Sequence, residues 1–317
     1  MAKIKVASIG YGHLGRWHAQ KVQACAAAEL VAVVEKAPAA QAAAKEAGLP
    51  VVSDLAEVLA QIDAAIIATP TSTHFEVALA LLNAGKHVFC ENPVTVTSAQ
   101  AAALQSAALK VPGLVFQVGH SERFHEVWEW WRGEHTPPAW PEKFDFKGPS
   151  IWRFNRLAAF KGRAMDVDVV ADLMIHDIDL MLWLLQEIPT EVAAWGYKIR
   201  TNKWDHVTAA FKFARGNQVF ITAGRNWGQE VRSVDVVNEQ GSWQIDLFAQ
   251  KVVAAGKSND PASFTQTFAY NKRDHLLLEQ ENFYQAIQEQ RRPIISLEDG
   301  KNAVAVAEMV LAALDQR

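Results

Sequence analysis

Short apolar runs alternate with amphipathic stretches through the first 120 or so residues of the chain. The apolar runs show no polar alternation, which indicates strands buried on both faces, and the stretches between them repeat at helical spacing. Strands are predicted at 4–9, 30–34, 51–52, 64–68, 87–90 and 114–118, and helices at 16–28, 39–47, 55–61, 74–84 and 98–109. This βα alternation predicts a doubly wound parallel sheet with helices on both faces.

The pattern changes after Gly119. Residues 125–160 are rich in Trp and Pro, and from 191 to 255 apolar and polar residues alternate with the period of two that indicates half-buried strands. Strands are predicted at 195–201, 206–213, 218–224, 232–238 and 242–248, with hairpin turns at 215–217 and 239–241, and helices at 273–290 and 297–314. Several neighbouring hairpins imply a mostly antiparallel sheet.

The chain is therefore predicted to be an α/β protein of two domains. Residues 1–121 are an N-terminal Rossmann domain with a doubly wound parallel sheet. Residues 122–317 are a C-terminal α+β domain on an open, mostly antiparallel sheet, whose last helix could pack back on the first domain. Helices should cover one face of the open sheet. The other carries large apolar and aromatic residues, so we expect it to pack against a partner copy in a homodimer or homotetramer.

Composition and charge exclude several classes of function. A net charge of −4 over 317 residues gives no reason to expect nucleic acid or an anionic membrane as a partner. The most apolar stretches are too short to span a bilayer, and the start of the chain lacks the apolar region of a signal peptide. Cys25 and Cys90 cannot make a disulfide framework and lack metal-ligand spacing, so no metal is expected. We expect a soluble protein of the reducing cytoplasm.

A glycine-rich loop follows the first predicted strand. Gly10, Gly12 and Gly15 have the spacing G-x-G-x-x-G, and Glu35 ends the second strand 20 residues after Gly15. In a dinucleotide-binding βαβ unit such glycines allow a tight turn, the approach of a pyrophosphate and close packing of the helix, whose N-terminus offers free N–H groups. The alternative is a structural turn in a protein without a cofactor. Strand, helix and acidic residue together favour dinucleotide binding.

Three polar segments, 69–74, 90–93 and 119–124, follow predicted strands. They read TPTSTH, CENP and GHSERF, and they fall where the carboxyl ends of parallel strands gather around a ligand. Pro70 stiffens the first loop, whose hydroxyls can donate to a cofactor. Each segment also suits an ordinary polar loop, and the residues alone leave both interpretations open.

The predicted helix 166–185 combines an apolar face with acidic residues and a histidine. Asp172, His176 and Asp179 recur at i, i+4 and i+7 and so share one stripe. Histidine accepts a hydroxyl proton near neutral pH, and a carboxylate one turn away can orient it. The alternative is a solvated polar face. So many ionisable groups in so apolar a helix favour a functional role.

Basic residues gather between 153 and 163, among aromatic ones. They are Arg153, Arg156, Lys161 and Arg163, interleaved with Trp152, Phe154 and Phe160. They form either a solvated loop or a clamp for a phosphorylated substrate, because arginine pairs bidentately with phosphate and aromatic side chains stack on rings or bases.

Four segments, GYGHLG, ATPTSTH, CENP and DLMIHDIDL, occur in this order along nearly the whole chain. Together they resemble the glucose–fructose oxidoreductase / inositol dehydrogenase / MocA (Gfo/Idh/MocA) family. The resemblance implies a Rossmann domain followed by an open-faced sheet domain, acting on sugars, inositols or nucleotide sugars with NAD or NADP. VGHSERF and RLAAFKGRAMDVDVVADLMIHDIDL look closest to a subgroup associated with lipid A synthesis, which is similar to enzymes that oxidise the 3-hydroxyl of UDP-N-acetylglucosamine.

The resemblance also implies roles position by position. The implied cofactor residues are Gly10, Tyr11, Gly12, His13, Leu14, Gly15, Glu35, Lys36, Thr69, Pro70, Thr71, His74, Glu91 and Asn92. The predicted substrate residues are His120 and Arg123 of the loop after the last strand, Arg156, Lys161 and Arg163 of the basic segment, and Asp172 and His176. Of these, the resemblance implies the pair, with His176 as the base and Asp172 as its partner. Glu35 would meet the adenosine ribose hydroxyls and repel a 2′-phosphate, which favours NAD, while Lys36 leaves NADP open.

Asn92 departs from the family pattern, which has the lysine of Glu-Lys-Pro at this position. That lysine hydrogen-bonds the reacting hydroxyl and helps with its proton, whereas an amide can donate and accept a hydrogen bond but cannot move a proton. Proton transfer would then fall to His176, helped by Lys161. The implied function is an NAD(P)-dependent dehydrogenase acting on a secondary sugar hydroxyl. The alternatives are a dinucleotide-binding protein with impaired or lost catalysis and a purely structural partner.

Overall fold

The computed structural model describes residues 2–135, 148–162, 165, 167–256 and 265–316. The chain forms two compact units. The first comprises Met1–Ser121 and Asp274–Val304, and the second comprises Glu122–Arg273 and Ala305–Arg317. A segment close to the end of the sequence therefore packs with the N-terminal sheet.

A six-stranded parallel sheet lies at the centre of the first unit. Its strands are β1 (Ile4–Ile9), β2 (Ala28–Val34), β3 (Val51–Val52), β4 (Ala64–Ile67), β5 (His87–Glu91) and β6 (Phe116–Gly119). They pair in the order β3-β2-β1-β4-β5-β6. The direction of winding reverses between β1 and β4, which is the point where doubly wound sheets bind ligands beyond their carboxyl ends. The predicted Rossmann sheet is confirmed.

Four helices alternate with these strands. They are α1 (His13–Ala24), α2 (Pro38–Glu46), α3 (His74–Asn83) and α4 (Ser98–Ala108). α1 begins three residues before its predicted start, directly after Gly12, and ends where Cys25 becomes extended. The helix predicted at 55–61 is wrong. Only a 3₁₀ turn, Leu55–Glu57, forms there. The Asp54 and Glu57 side chains cap its start, but the N–H groups of Val58 and Gln61 then bond carbonyl groups three residues back, so no α-helix continues.

A mixed eight-stranded sheet forms the second unit. Its strands are β7 (Ile151–Leu157), β8 (Glu191–Tyr197), β9 (His206–Lys212), β10 (Gln218–Gly224), β11 (Val231–Asn238), β12 (Gly241–Asp246), β13 (Lys251–Gly256) and β14 (Thr265–Ala269). They pair in the order β14-β13-β12-β11-β7-β10-β9-β8, and every pair is antiparallel except β7 with β10. The predicted mostly antiparallel sheet is confirmed.

β7 lies where the sequence pattern predicts a basic loop. It is a central strand of the sheet, with buried Trp152 and Phe154 alternating with exposed Ile151 and Arg153. The charge of Arg156 hid this period, because Arg156 shares the buried face with the two aromatic rings. A period-two pattern is harder to see where a buried position is charged.

The strand predicted at 195–201 ends four residues early, at Tyr197. The carboxylate of Asp205 accepts hydrogen bonds from the backbone N–H groups of Ile199, Arg200 and Thr201, at 2.6–2.8 Å. These bonds replace those of a sheet ladder, so the chain turns there. The strands β13 and β14 were not predicted.

Helices cover the buried face of the second sheet. They are α5 (Val127–Trp131) and α6 (Ile175–Leu185), and a π-helical turn, Val170–Met174, leads directly into α6. The opposite face of the sheet keeps exposed apolar side chains, namely Ile151, Trp195, Tyr197, Phe220 and Val237. No helix among the described residues is long and apolar enough to cross a membrane.

Two helices follow β14, α7 (His275–Glu289) and α8 (Leu297–Asp315). Phe283 and Tyr284 of α7 are fully buried in the core of the first unit, beside β1, β4 and β5. Asp299 lies in the first turn of α8, as predicted, and its carboxylate accepts the N–H of Ser296 at 2.7 Å. α7 therefore packs against the parallel sheet and contributes to the hydrophobic core of the first unit.

Candidate active site

The glycine loop connects the end of β1 to the start of α1 at the switch point of the parallel sheet. Gly10 has φ of +93°, a left-handed conformation that favours glycine, and a Cβ there would lie 2.7 Å from the carbonyl oxygen of Ala68. A Cβ on Gly15 would collide with the carbonyl oxygen of Gly10. Both glycines are therefore required for the loop to fold, as the motif predicts.

Gly12 is different, because a Cβ at this position would meet no atom within 4 Å. It stands at the N-cap of α1 and offers no side chain to the N–H groups of the first turn. A glycine that no protein atom requires, next to uncapped helical N–H groups, is what a bound pyrophosphate needs. The residues present thus fit a dinucleotide.

Glu35 holds the loop in place. Its carboxylate accepts the backbone N–H of Tyr11 at 2.7 Å and that of Ala37 at 2.8 Å. The Tyr11 ring is buried in the core between α1 and α2, so only the backbone of this residue is available to a ligand at the glycine loop. His13, Leu14 and Lys36 are exposed. The acidic residue at the end of β2 lies where a ribose-binding carboxylate is expected.

The loop after β4 is tied to the loop after β5 by His74. One ring nitrogen of this buried side chain lies 2.9 Å from the carbonyl oxygen of Thr69, and the other lies 2.9 Å from that of Pro93. Burial lowers the pKa of His74, while the two carbonyl oxygens act in the opposite direction, because only a protonated ring can donate to both. Both nitrogens face backbone, so His74 positions Thr69, Pro70 and Thr71.

Glu91 and Asn92 lie at the end of β5. The Asn92 amide nitrogen donates to the carbonyl oxygen of Gly119 at 2.5 Å and lies 3.4 Å from Glu91 Oε2. Both neighbours are acceptors, so the amide nitrogen must face them and the amide oxygen faces away. Glu91 is buried, and its Oε1 lies 2.6 Å from His18 Nε2.

Asp172 and His176 belong to the second unit. Asp172 lies within the π-helical turn Val170–Met174, and His176 is the second residue of α6. Both side chains are half-buried. Isolated π turns inside helices occur frequently at functional sites. Asp166, the first residue of the predicted helix, lies outside the described residues.

Asp179, the third member of the predicted stripe, has a different environment. It is buried and forms a bidentate ion pair with Arg123, with nitrogen–oxygen distances of 2.8 and 2.6 Å. Arg123 is buried as well. Both of these charged groups are therefore satisfied within the unit.

Arg156 forms the centre of a second buried ion network. Its guanidinium makes a bidentate pair with Asp177, at 3.0 and 2.8 Å, and donates to Glu122 Oε1 at 2.9 Å. Burial would raise the pKa of Glu122, but Arg156 and His125 lower it well below its ordinary value. Arg232, which lies opposite Arg156 in β11, also reaches Glu122 Oε1 at 3.3 Å.

The other predicted substrate residues are scattered within the chain. Lys161 is half-exposed, and its ammonium lies 3.6 Å from Glu230. His120 is buried at the end of β6. Arg163 lies outside the described residues. Sequence reasoning missed Arg232, whose place opposite Arg156 depends on strand register and leaves no local signal.

A doubly wound sheet with this glycine loop and acidic residue defines the class of NAD-binding Rossmann proteins, here with a second, open-sheet unit. The chain belongs to the GFO/IDH/MocA family of oxidoreductases. The family model described as an NAD-binding Rossmann fold matches residues 4–120, and the model of the GFO/IDH/MocA C-terminal domain matches residues 127–244.

Relatives with assigned activities match over nearly the full length. UDP-N-acetylglucosamine 3-dehydrogenase of Acidithiobacillus ferrooxidans is 33% identical over 321 residues, covering 99% of this chain and 98% of its own. A solved structure of that enzyme has a TM-score of 0.88 at 32% identity, covering 100% and 99%. The scyllo-inositol 2-dehydrogenase (NAD(+)) of Bacillus subtilis is 27% identical, covering 93% and 89%.

Gly12 and Gly15 should respond differently to alanine. We expect Gly15→Ala to destabilise the first unit by roughly 1–3 kcal/mol, because its Cβ overlaps the Gly10 carbonyl. Gly12→Ala should leave the melting temperature unchanged but weaken NAD binding at least about tenfold, about 1.4 kcal/mol, because its Cβ enters the open space. Thermal unfolding and NAD titration calorimetry measure the two effects. Full NAD affinity in a folded Gly12→Ala protein would contradict this site.

Proposed function

We propose that the protein is an NAD-dependent dehydrogenase that transfers a hydride between nicotinamide and a secondary hydroxyl of a UDP-linked sugar. The observation that carries this proposal is the 33% identity to a UDP-N-acetylglucosamine 3-dehydrogenase, since that match covers 99% of this chain. It includes the glycine loop and the segment with Asp172 and His176. UDP-N-acetylglucosamine is therefore the substrate to test first.

NAD is the proposed cofactor because of Glu35. Its carboxylate is fixed by the N–H groups of Tyr11 and Ala37, so turning it away from a 2′-phosphate would break two hydrogen bonds. A carboxylate accepts hydrogen bonds from ribose hydroxyls and repels a phosphate at the same place. Binding of NADP would require compensation from exposed Lys36.

Bound NAD would supply the hydride acceptor, held by Gly10, Gly12, Gly15 and Glu35. The reacting carbon loses its hydrogen with the electron pair of the C–H bond, and its hydroxyl loses a proton as the C=O bond forms. We assign that proton to the imidazole of His176, with Asp172 as the carboxylate that orients the ring. His176 would thus hold one proton for each alcohol converted to a ketone, while the bound NAD would take the hydride.

Asn92 has the role of holding the reacting hydroxyl. Its amide oxygen faces away from Gly119 and Glu91 and can accept the hydroxyl hydrogen bond, but it cannot take the proton. The proposal therefore leaves proton transfer to His176. Lys161 remains a second basic group in the same unit, beside Glu230.

Two arginines of the predicted substrate set are left out of the proposed site. Arg123 and Arg156 are buried and bidentately paired with Asp179 and Asp177. Releasing either guanidinium for a phosphate would leave a buried carboxylate without its partner, which costs several kcal/mol. Their charges are better explained as support for the helix that carries His176.

The proposal is tested by incubating the purified protein with NAD and a panel of UDP-sugars and following absorbance of NADH. We expect turnover with a UDP-N-acetylhexosamine and weaker turnover with free sugars or inositols. NAD binding without turnover on any member of the panel would reject the dehydrogenase function and leave a dinucleotide-binding protein.

That binding protein is the second candidate, and Asn92 is the observation that favours it. Asn92→Lys restores the residue that the family pattern has at this position, so the variant distinguishes the two candidates. If the parent turns over UDP-sugars, it is an enzyme that uses an amide at this position. If only the variant does, the parent has lost catalysis.

The homodimer or homotetramer expected from the sequence stays a prediction. We propose that the exposed face of the second sheet, with Trp195, Tyr197 and Phe220, pairs with a second copy. Sedimentation of the protein only as a monomer at micromolar concentration would count against it.

A further inference from the structure

Three ionisable side chains meet in the interior of the first unit, behind the loop that carries Asn92. They are His18 of α1, Glu91 at the end of β5 and Glu279 of α7, and one nitrogen or oxygen atom of each lies within 4.8 Å of the other two. All three are buried, and Glu279 has no exposed surface. The proposed reaction gives Glu279 no role.

The hydrogen bonds around His18 fix its proton. The amide nitrogen of Gln280 lies 2.8 Å from His18 Nδ1 and 3.3 Å from the His18 carbonyl oxygen, and the amide oxygen accepts from Tyr284 at 3.1 Å. Nδ1 is therefore an acceptor, so the ring proton is on Nε2. Nε2 donates to Glu91 Oε1 at 2.6 Å.

Both carboxyl oxygens of Glu91 face hydrogen-bond donors. Its Oε1 accepts a hydrogen bond from His18 Nε2, and its Oε2 accepts one from the backbone N–H of Asn92 at 3.2 Å. No hydrogen-bond donor reaches either carboxyl oxygen of Glu279 among the described residues, and its nearest ionisable neighbours are His18 and Glu91, within 4.8 Å. Its backbone carbonyl, by contrast, accepts from the side chain of Gln117 at 2.6 Å.

An ionised Glu279 would be an unpaired buried charge next to a second carboxylate. Such a charge costs several kcal/mol, and a protonated carboxyl group avoids that cost. Burial, followed by the charge of Glu91, raises the pKa of Glu279 well above its ordinary value. A protonated carboxyl group needs an acceptor for its O–H, and Glu91 offers a carboxyl oxygen within 4.8 Å.

We propose that Glu279 is a proton-holding residue: its carboxyl group stays protonated at neutral pH and shares its proton with Glu91, so that the two carboxyl groups carry a single negative charge. Shared protonation lets Glu91 remain an acceptor for His18 and Asn92 without a second buried charge. Glu279 is thereby a positioning residue for the Asn92 loop. This inference concerns the resting protein and holds whether or not the proposed reaction occurs.

A divalent metal ion is the competing occupant of three such ligands. Two ligands of a tetrahedral zinc ion stand about 3.3 Å apart, given metal–ligand distances of about 2.0 Å. His18 Nε2 and Glu91 Oε1 are 2.6 Å apart, a hydrogen-bond distance. The geometry therefore favours a proton, and elemental analysis decides the matter directly.

Infrared spectroscopy of the whole protein tests the proposal. At about pH 7.5 the wild type should show a protonated carboxyl band that Glu279→Gln removes and that Glu281→Gln, an exposed glutamate on the same helix, leaves intact. If Glu279→Gln does not fold, Glu279→Met removes the same carboxyl group. A spectrum unchanged by loss of Glu279 would show that the group is ionised and overturn the proposal. One equivalent of bound metal that Glu279→Gln abolishes would overturn it too.

Stability against pH is the second measurement. In the unfolded chain Glu279 ionises near its ordinary pKa, while in the fold it keeps its proton, so the folded state binds the extra proton and loses stability as pH rises. The ratio of the unfolding constants of wild type and Glu279→Gln should therefore rise about tenfold per pH unit from about pH 5 toward neutral pH. Glu281→Gln should give a constant ratio. A constant ratio for Glu279→Gln would contradict the inference.

Discussion

His176→Asn should lower kcat for the proposed sugar dehydrogenase reaction by about 10²–10⁴-fold, the usual cost of losing a general base. The reason is chemical: with Asn92 in place of a lysine, His176 is the group to which the proposal gives the hydroxyl proton. NAD affinity should stay at the wild-type value, because the glycine loop and Glu35 belong to the other unit. Steady-state kinetics and NAD titration on the same preparation measure both quantities.

His206→Asn is the matched control for this prediction. His206 is also a half-buried histidine of the second unit, in β9, and it has no part in the proposed reaction. We expect its kcat to lie within about twofold of the wild type, a difference of about 0.4 kcal/mol in activation free energy. If His176→Asn keeps full kcat while it stays folded, the base is another residue. Lys161 is then the next group to replace.

The parallel sheet was predictable because its determinants are local. Each buried strand is a short apolar run, and Gly10 and Gly15 are dictated by backbone contacts that no other residue allows. Glu35 was predictable for the same reason, because its distance from the glycine loop is a property of one βαβ unit. The mixed sheet was predictable only in its hairpins, whose turns also lie in sequence.

Long-range pairing of charges was not predictable. Nothing in the sequence near Arg156 or Asp177 indicates that the two side chains pair. The charge of Arg156, which suggests a phosphate clamp, also obscures the alternating pattern of β7. Glu279 left a faint signal, because it lies four residues before Phe283 and therefore on the buried stripe of its helix. A charged residue on a buried stripe is a useful sign of a hidden network. His18 and Glu91 could be joined to it only by the fold.

Arg156→Met should destabilise the second unit by about 3–5 kcal/mol, the usual cost of removing one partner from a buried ion pair. Methionine fills a similar volume, so the loss reflects the charges and not a cavity. Asp177 would lose both of its hydrogen bonds from Arg156, and Glu122 would keep only its weaker contacts with Arg232 and His125. Denaturant unfolding at pH 7 measures the difference.

The pH dependence separates this network from a merely well-packed side chain. In the wild type the pKa of Glu122 lies below its ordinary value, so its contribution is present at neutral pH and is lost as pH falls through the folded-state pKa. Without Arg156 the buried carboxylates gain stability by taking up protons, so the deficit of the variant should shrink as pH falls from 7 to about 5. Adding Asp177→Asn should recover part of the loss at pH 7.

Lys212→Ala is the control, because Lys212 pairs with Glu191 at 2.7 Å between two exposed side chains of the same sheet. An exposed ion pair contributes at most about 1 kcal/mol, so the free energy of unfolding of this variant should lie close to that of the wild type at every pH. If Arg156→Met lowered the free energy of unfolding by no more than Lys212→Ala does, Asp177 and Glu122 would have to be accessible to water. The guanidinium of Arg156 would then be available to a substrate. The size of this one loss therefore decides whether Arg156 supports the fold or binds a phosphate.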